Sequence, residues 1–256
     1  MSLVKQEIWD ELPVNIYESN QEMGCAAADE AEKAILKSIA DKGSANIILA
    51  AANSQLSVLK ALRGKKSIDW RKVNVFHMDE YVGLPVGHTA SFPRFLRQHF
   101  LKFISAGSFH PISGNPETLR EDTFGYAKLL TENPPDLCIL GIGENGHIAF
   151  NDPPFADFDD IFLIKKVRLA EKSRWQQVGE EHFHSIEEVP RYAITLTIPA
   201  LRSAKRMICV VPESRKADAV YKTKTEEPNE DCPATILKKT PWCTLYLDRD
   251  AAESIL

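Results

Sequence analysis

The feature that most constrains this chain is an alternation of short, nearly unbroken apolar runs with longer stretches whose apolar residues recur at helical spacing. The runs Ala45 to Ala51, Val73 to Phe76, Leu137 to Leu140, Ala193 to Ile198, Met207 to Val211 and Cys243 to Leu247 predict strands buried on both faces. Between them, Ala26 to Ala40 places Ala31, Ile35, Leu36 and Ile39 on one helical face, and Lys42-Gly43-Ser44 stops that helix. Further helices are expected through Leu56, Leu59, Lys60 and Leu62, with Asn53 or Ser54 as N-cap, over Phe92 to Phe103, and from Lys216 to Tyr221. Strands alternating with helices imply an α/β fold whose sheet is mostly parallel and covered on both faces.

In such a sheet a ligand crevice lies at the carboxyl ends of the strands. That rule points to the loops after Ala51, Phe76, Leu140 and Val211. The second of these begins Met78-Asp79-Glu80-Tyr81, two adjacent carboxylates whose side chains point oppositely in extended chain. Asp79 reads either as a candidate acid/base or as a residue that merely ends the strand. The third loop is Gly141-Ile142-Gly143-Glu144-Asn145-Gly146-His147, with Asp152 shortly after. Glycines let the backbone turn sharply and approach a ligand, and a neighbouring carboxylate can fix a histidine tautomer and stabilise its cation. Gly146 breaks the six-residue dinucleotide fingerprint, which argues against a nicotinamide site. The first loop, Ala51-Ala52-Asn53-Ser54-Gln55, opens a helix whose N–H groups could bind phosphate, or Asn53 could simply cap it.

Composition narrows the partners. With 44% hydrophobic residues and a formal net charge of -5, the chain is neither disordered nor a dedicated nucleic-acid binder, whose footprint is a basic face. The 5 cysteines are odd in number and lack any Cys-x-x-Cys pair, so neither a disulfide framework nor a zinc site is expected. No stretch reaches the roughly 18 apolar residues of a membrane helix and no leader pattern opens the chain, so a cytoplasmic location and no membrane partner are expected. His182 and His184 sit close enough to suggest metal, but a solvated connector accounts for them and no further ligand is evident. No HExxH, P-loop or GxSxG motif is present.

Taken together, Met78 to Leu84 and Gly141 to Asn151 resemble the glucosamine-6-phosphate deaminase (isomerase) family. The likeness extends through Val189-Pro190-Arg191-Tyr192-Ala193, Ser214-Arg215-Lys216-Ala217 and Cys232-Pro233-Ala234-Thr235, in order and spacing. It implies a Rossmann-like three-layer αβα sandwich and a cofactor-free reaction, with no metal. Glucosamine-6-phosphate and water would give fructose-6-phosphate and ammonia, placing the protein in amino-sugar metabolism and N-acetylglucosamine catabolism. By match to the motifs, Asp79 is the base that moves a proton between the second and first carbons. His147 assists ring opening, oriented by Asp152 and Asn145. Gly143, Arg174, Lys216 and the turn Ala52, Asn53, Ser54 and Gln55 match the residues that hold the sugar phosphate. Members of the resembled family include monomers and hexamers, so a homo-oligomer stays open. Residues 1–256 are read as a single domain, because the implied site draws on loops from Ala51 to Lys216. The stretch from Pro153 to Lys172 is the candidate lid.

Three positions depart from the resembled pattern. Asn145 stands where an aspartate is found, so charge support for His147 falls to Asp152 or Glu144. Asp152 stands where a glutamate is common, one methylene shorter. The phosphate turn lacks the usual glycine and threonine, which gives its backbone fewer ways to wrap an anion and makes a galactosamine-6-phosphate an alternative substrate. Two other functions compete. One is a 6-phosphogluconolactonase-type hydrolase, whose pattern has an arginine in place of Tyr81 and lacks the Phe150-Asn151-Asp152-Pro153 continuation. The other is a non-catalytic sugar-phosphate sensor, against which the intact Asp79 and His147 argue.

Overall fold

The computed structural model describes residues 2–85 and 87–256, so Met1 and Val86 lie outside it. The chain opens with β1 (Leu3–Trp9), β2 (Leu12–Tyr17) and the long helix α1 (Asn20–Lys42). Ser19 caps α1 by accepting from the Glu22 N–H, a bond of the kind that contributes about 1 kcal/mol. Gly43 ends it in the left-handed region, φ 84°, where a side chain would be strained. Then come β3 (Ala45–Leu49), α2 (Leu56–Arg63), β4 (Val73–His77), β5 (Asp79–Tyr81), α3 (Phe92–His99), β6 (Ser108–His110), α4 (Leu119–Glu132) and β7 (Leu137–Leu140). The second half carries β8 (Ile164–Arg168), α5 (Glu171–Gly179), β9 (Tyr192–Leu196), α6 (Ile198–Arg202), β10 (Arg206–Val211), α7 (Ala217–Thr225) and β11 (Cys243–Asp248).

Eight strands form one sheet in the order β1-β2-β11-β10-β7-β3-β4-β6, and all pairings but β1 with β2 are parallel. The apolar runs explain why this sheet is covered on both faces. Ile48, Cys138, Leu140 and Cys209 join one core with α4, α6 and α7, while Ile47, Ile139, Ile208 and Val210 join another with α1, α2 and α3. Successive residues of a strand thus feed opposite cores, as the pleat requires. No described helix is long and apolar enough to cross a membrane.

Three elements differ from the sequence reading. The run beginning at Ala193 does not join the parallel sheet: β9 pairs antiparallel with β5 and β8 in a separate three-stranded sheet, and Ile198 already opens α6. Neither Asn53 nor Ser54 caps a helix, because residues Asn53–Gln55 form a 3-10 turn running into α2 with no side-chain cap. The helix from Phe92 ends at His99, and Phe100, with φ -132°, separates it from a 3-10 turn at Leu101–Phe103.

Connectivity sets the place of the crevice. From β3 the chain moves outward to β4 and β6, whereas from β7 it moves the other way to β10 and β11. The loops leaving neighbouring β3 and β7 therefore diverge, opening a gap at their carboxyl ends.

Candidate active site

A cavity occupies that gap. Ala52, Ser54 and Gln55 reach it from the loop after β3, Asp79 from β5, Gly143 and His147 from the loop after β7, and Lys216 from the turn after β10. Phe92 and Phe150 supply an aromatic wall, their rings stacked at 5.8 Å. The four strand-exit loops named from sequence are thus brought together.

Asp79 is 8% exposed. Burial, and after it the charge of Glu80, lifts its carboxyl well above the usual carboxylate range. Glu80 points the other way, as strand alternation requires. Its carboxylate accepts from the Ser91 hydroxyl at 2.7 Å and the Tyr81 N–H at 2.8 Å. Burial lifts it to about 7, against these bonds, which lower it. Two adjacent carboxyls therefore share a strand but not a role: one faces the cavity and the other anchors the start of α3.

His147 Nδ1 lies 2.6 Å from Asn145 Oδ1 and 3.0 Å from Asp152 Oδ1, with Ser173 Oγ at 3.1 Å. An amide oxygen can only accept, so the bond to Asn145 keeps the proton on Nδ1 and leaves Nε2 as the nitrogen available to a ligand. Asp152 is fully buried and also accepts from Asn145 Nδ2 at 3.0 Å, the Ala170 N–H at 3.2 Å and the Ser173 hydroxyl. Burial pushes its carboxyl up, but His147 and these donors outweigh it and hold it below its ordinary value. Glu144 does not share this work; its carboxylate faces Arg215 at 3.8 Å. Gly143 has to lack a side chain, because a Cβ there would collide with the His147 ring.

Lys216 is 2% exposed, and among the described residues no carboxylate lies within ion-pair distance of its ammonium. Burial lowers its pKa, opposed first by the Glu180 charge and then by Glu144. Glu180 lines the same cavity. Burial raises its carboxyl, but the His182 bond, the Lys216 charge, Gln176 and Arg215 together hold it at about 2, so it is ionised near neutrality. Gln55 is almost fully buried, and its Nε2 donates to the Val210 carbonyl at 3.1 Å, tying the turn after β3 to the end of β10.

Three groups expected at the site lie outside the lining of this cavity. Arg174 does not reach this cavity: its guanidinium donates to the carbonyls of Ile186 and of Val189, the latter at 3.0 Å, and it lines a separate pocket with Arg168 and Arg191. Asn53 does not line the cavity, because the 3-10 turn presents Ala52, Ser54 and Gln55 instead. The stretch from Pro153 to Lys172 contributes no lining residue; β8 draws it into the small sheet. Its place is taken by α5 and the segment after it, through Gln176, Gln177, Glu180 and His182. Gln176, Gln177 and Glu180 carry no sequence signal of a site, and His182 shows only its closeness to His184. His182 is no solvated connector: Nε2 stands 3.5 Å from Glu180 at the cavity wall, while His184 is exposed. Among the described residues no group of three or more His, Cys, Asp or Glu side chains could hold a metal ion.

Comparison with known proteins bears on family and fold. Residues 18–245 match the family described as glucosamine-6-phosphate isomerases/6-phosphogluconolactonase. The glucosamine-6-phosphate deaminase of Bacillus cereus strain B4264 is 34% identical over 226 residues, 88% of this chain and 83% of its own length. That of Bacillus cytotoxicus is likewise 34% identical with the same coverage. Among solved structures, a monomeric glucosamine-6-phosphate deaminase superposes with a TM-score of 0.86 at 27% identity, covering 94% of this chain and 99% of its own. The 6-phosphogluconolactonase of Trypanosoma brucei superposes at 0.78 with 17% identity, over 98% of this chain and all of its own, a likeness of fold alone.

Proposed function

This chain belongs to the glucosamine-6-phosphate isomerase/6-phosphogluconolactonase family, and from that premise we propose that it is an amino-sugar phosphate isomerase-deaminase. The substrate assigned is glucosamine-6-phosphate, with water, and the products are fructose-6-phosphate and ammonia. The observation that carries this reading is the convergence of Asp79, His147 and Lys216 on one cavity. A carboxylate, an imidazole of defined tautomer and an ammonium are what proton transfer on an anionic sugar requires.

In this mechanism His147 Nε2 assists opening of the pyranose, taking the proton of the anomeric hydroxyl and delivering it to the ring oxygen as the ring bond breaks. Asp79 then removes the proton from the second carbon and returns it to the first, while the amine gives up a proton and the oxygen on the first carbon gains one, leaving an imine at the second carbon. Water adds to the resulting imine at the second carbon, and ammonia leaves. A carboxylate whose pKa is raised by burial is a stronger base than one in water, and such positioned proton transfer typically contributes roughly two to four powers of ten in rate. The phosphate is assigned to Lys216 and to the hydroxyl and N–H of Ser54, early in the turn at Asn53–Gln55. Binding that end of the sugar holds the reacting carbons against Asp79.

Purified protein given glucosamine-6-phosphate, galactosamine-6-phosphate and 6-phosphogluconolactone tests the reading. Ammonia release from an amino sugar is expected, and Asp79→Asn should abolish it while a phosphorylated sugar still binds. Lactone loss without ammonia would make the protein a hydrolase, and binding without turnover would make it a sensor.

A further inference from the structure

Asp79 owes its position to a change of sheet. The chain pairs with β3 as far as His77, opposite Leu49, and with β6 as far as Phe76, opposite His110. Two residues after His77 it enters the small antiparallel sheet, with Asp79 opposite Thr195. The backbone between must leave one ladder before it joins the next, and buried N–H and C=O groups at such a break need partners from elsewhere.

At His77 a single hydroxyl supplies both. Tyr126 Oη, from α4, donates to the His77 carbonyl at 2.8 Å and accepts from the His77 N–H at 3.1 Å. Its ring is buried edge-on against Phe76, with centroids 6.1 Å apart. The His77 imidazole is pinned as well: Nε2 accepts from the Ile112 N–H at 2.7 Å. Just beyond the break, the Met78 carbonyl accepts from the Leu196 N–H at 2.7 Å. Tyr126 does not line the cavity, so any part it has in the chemistry passes through the backbone.

We infer that Tyr126 is a positioning residue for Asp79, its hydroxyl standing in for the missing strand at the sheet switch and fixing the backbone two residues before the carboxylate. Asp79 as the base is taken from the function proposed above; the hydroxyl's hold on the backbone does not depend on it. A misplacement of about 1 Å can cost on the order of a hundredfold in rate, so a loosened break registers at the proton-transfer step before it registers in binding.

Tyr126→Phe keeps the ring and removes the hydroxyl. With glucosamine-6-phosphate, kcat and the exchange of the C2 proton with deuterated solvent are expected to fall about ten- to a hundredfold, with KM within about threefold of wild type. Phe76→Leu loosens the same ring contact but spares the hydroxyl; it should lower Tm and leave kcat within about threefold. A kcat for Tyr126→Phe close to wild type, or an equal loss in Phe76→Leu, overturns the inference. Amide hydrogen exchange over residues 77–81 gives a readout free of any substrate: it should accelerate at least tenfold in Tyr126→Phe, and unchanged exchange refutes the positioning role even if the function is otherwise. Conversely, an active Asp79→Asn enzyme removes the base while leaving the exchange result standing.

Discussion

Replacing Asp152 by asparagine removes a charge from behind His147 without removing the group that sets its tautomer. Asp152 Oδ1 stands 3.0 Å from Nδ1, and Asn145 Oδ1 stands closer, at 2.6 Å. Two unit charges at that separation attract by about 5 kcal/mol at an effective dielectric of roughly 20, an upper bound for what the carboxylate gives the imidazolium. Three other donors already share the carboxylate, so about half of that, roughly 2–3 kcal/mol, is a reasonable loss. Converted to rate, this is on the order of a 30- to 150-fold fall in kcat/KM. In a serine-protease triad the corresponding change costs about 10⁴ because the imidazole adopts the wrong tautomer. Here Asn145 still accepts from Nδ1, so the loss should be smaller. Ammonia release under substrate-limiting conditions measures it. Activity within about threefold of wild type would show that the charge is not used, and a loss near 10⁴ would show that Asn145 does not hold the tautomer.

The same substitution has a stability consequence with a defined pH window. The new amide would place an N–H against the Ala170 N–H or another of the three donors, a mismatch worth about 1–3 kcal/mol, or roughly 2–4 °C in Tm per kcal/mol. Asp152 has a depressed folded-state pKa, so its contribution is fully present above the unfolded value of about 3.9 and is lost as pH falls through the folded one. The gap in Tm between wild type and Asp152→Asn should accordingly be constant near neutrality and narrow in acid.

Further outcomes separate the roles assigned to neighbouring groups. Lys216→Met should raise KM about tenfold or more with a smaller change in kcat, since a charge-assisted bond to phosphate is worth roughly 1.5–3 kcal/mol; Arg174→Met should leave KM within about threefold yet lower Tm, because its guanidinium ties down the Ile186 and Val189 carbonyls. A large KM effect in the arginine variant would return Arg174 to the phosphate site. Glu80→Gln should move the acid limb of the kcat/KM profile to lower pH. Asp79 acts when ionised, Glu80's charge adds to the burial that raises its pKa, and removing that charge lowers it; a limb that stays put or moves upward contradicts the pairing.

What could be read from the sequence follows from how each element is buried. Fully buried parallel strands such as β3 and β7 are continuous apolar runs, and they are visible as such. The hairpin of β1 and β2 is not, because β1 alternates at an exposed edge and its turn passes through Asp10, φ 53°, with no glycine to mark it. Helix α4 buries only Tyr126 and Leu130, too narrow a stripe to stand out. Catalytic candidates cluster in the site because strand exits converge by topology, a rule that needs no coordinates. That Arg174 donates to backbone carbonyls outside the cavity lining is not legible in the sequence, because a motif match carries no information about which way a helical side chain points. Glu180 and His182 follow α5, and their place in the cavity depends on packing that no local pattern records.

The balance of charge in the cavity changes the meaning of the chain's net -5. Overall acidity says nothing about the ligand, yet the cavity is not simply cationic either. Lys216 is its buried cation, Arg215 is shared among Glu144, Glu180 and Glu213, and Glu180 is itself an ionised wall residue. On the function proposed above, the sugar's phosphate meets Lys216 in company with a carboxylate whose charge already helps keep that lysine protonated.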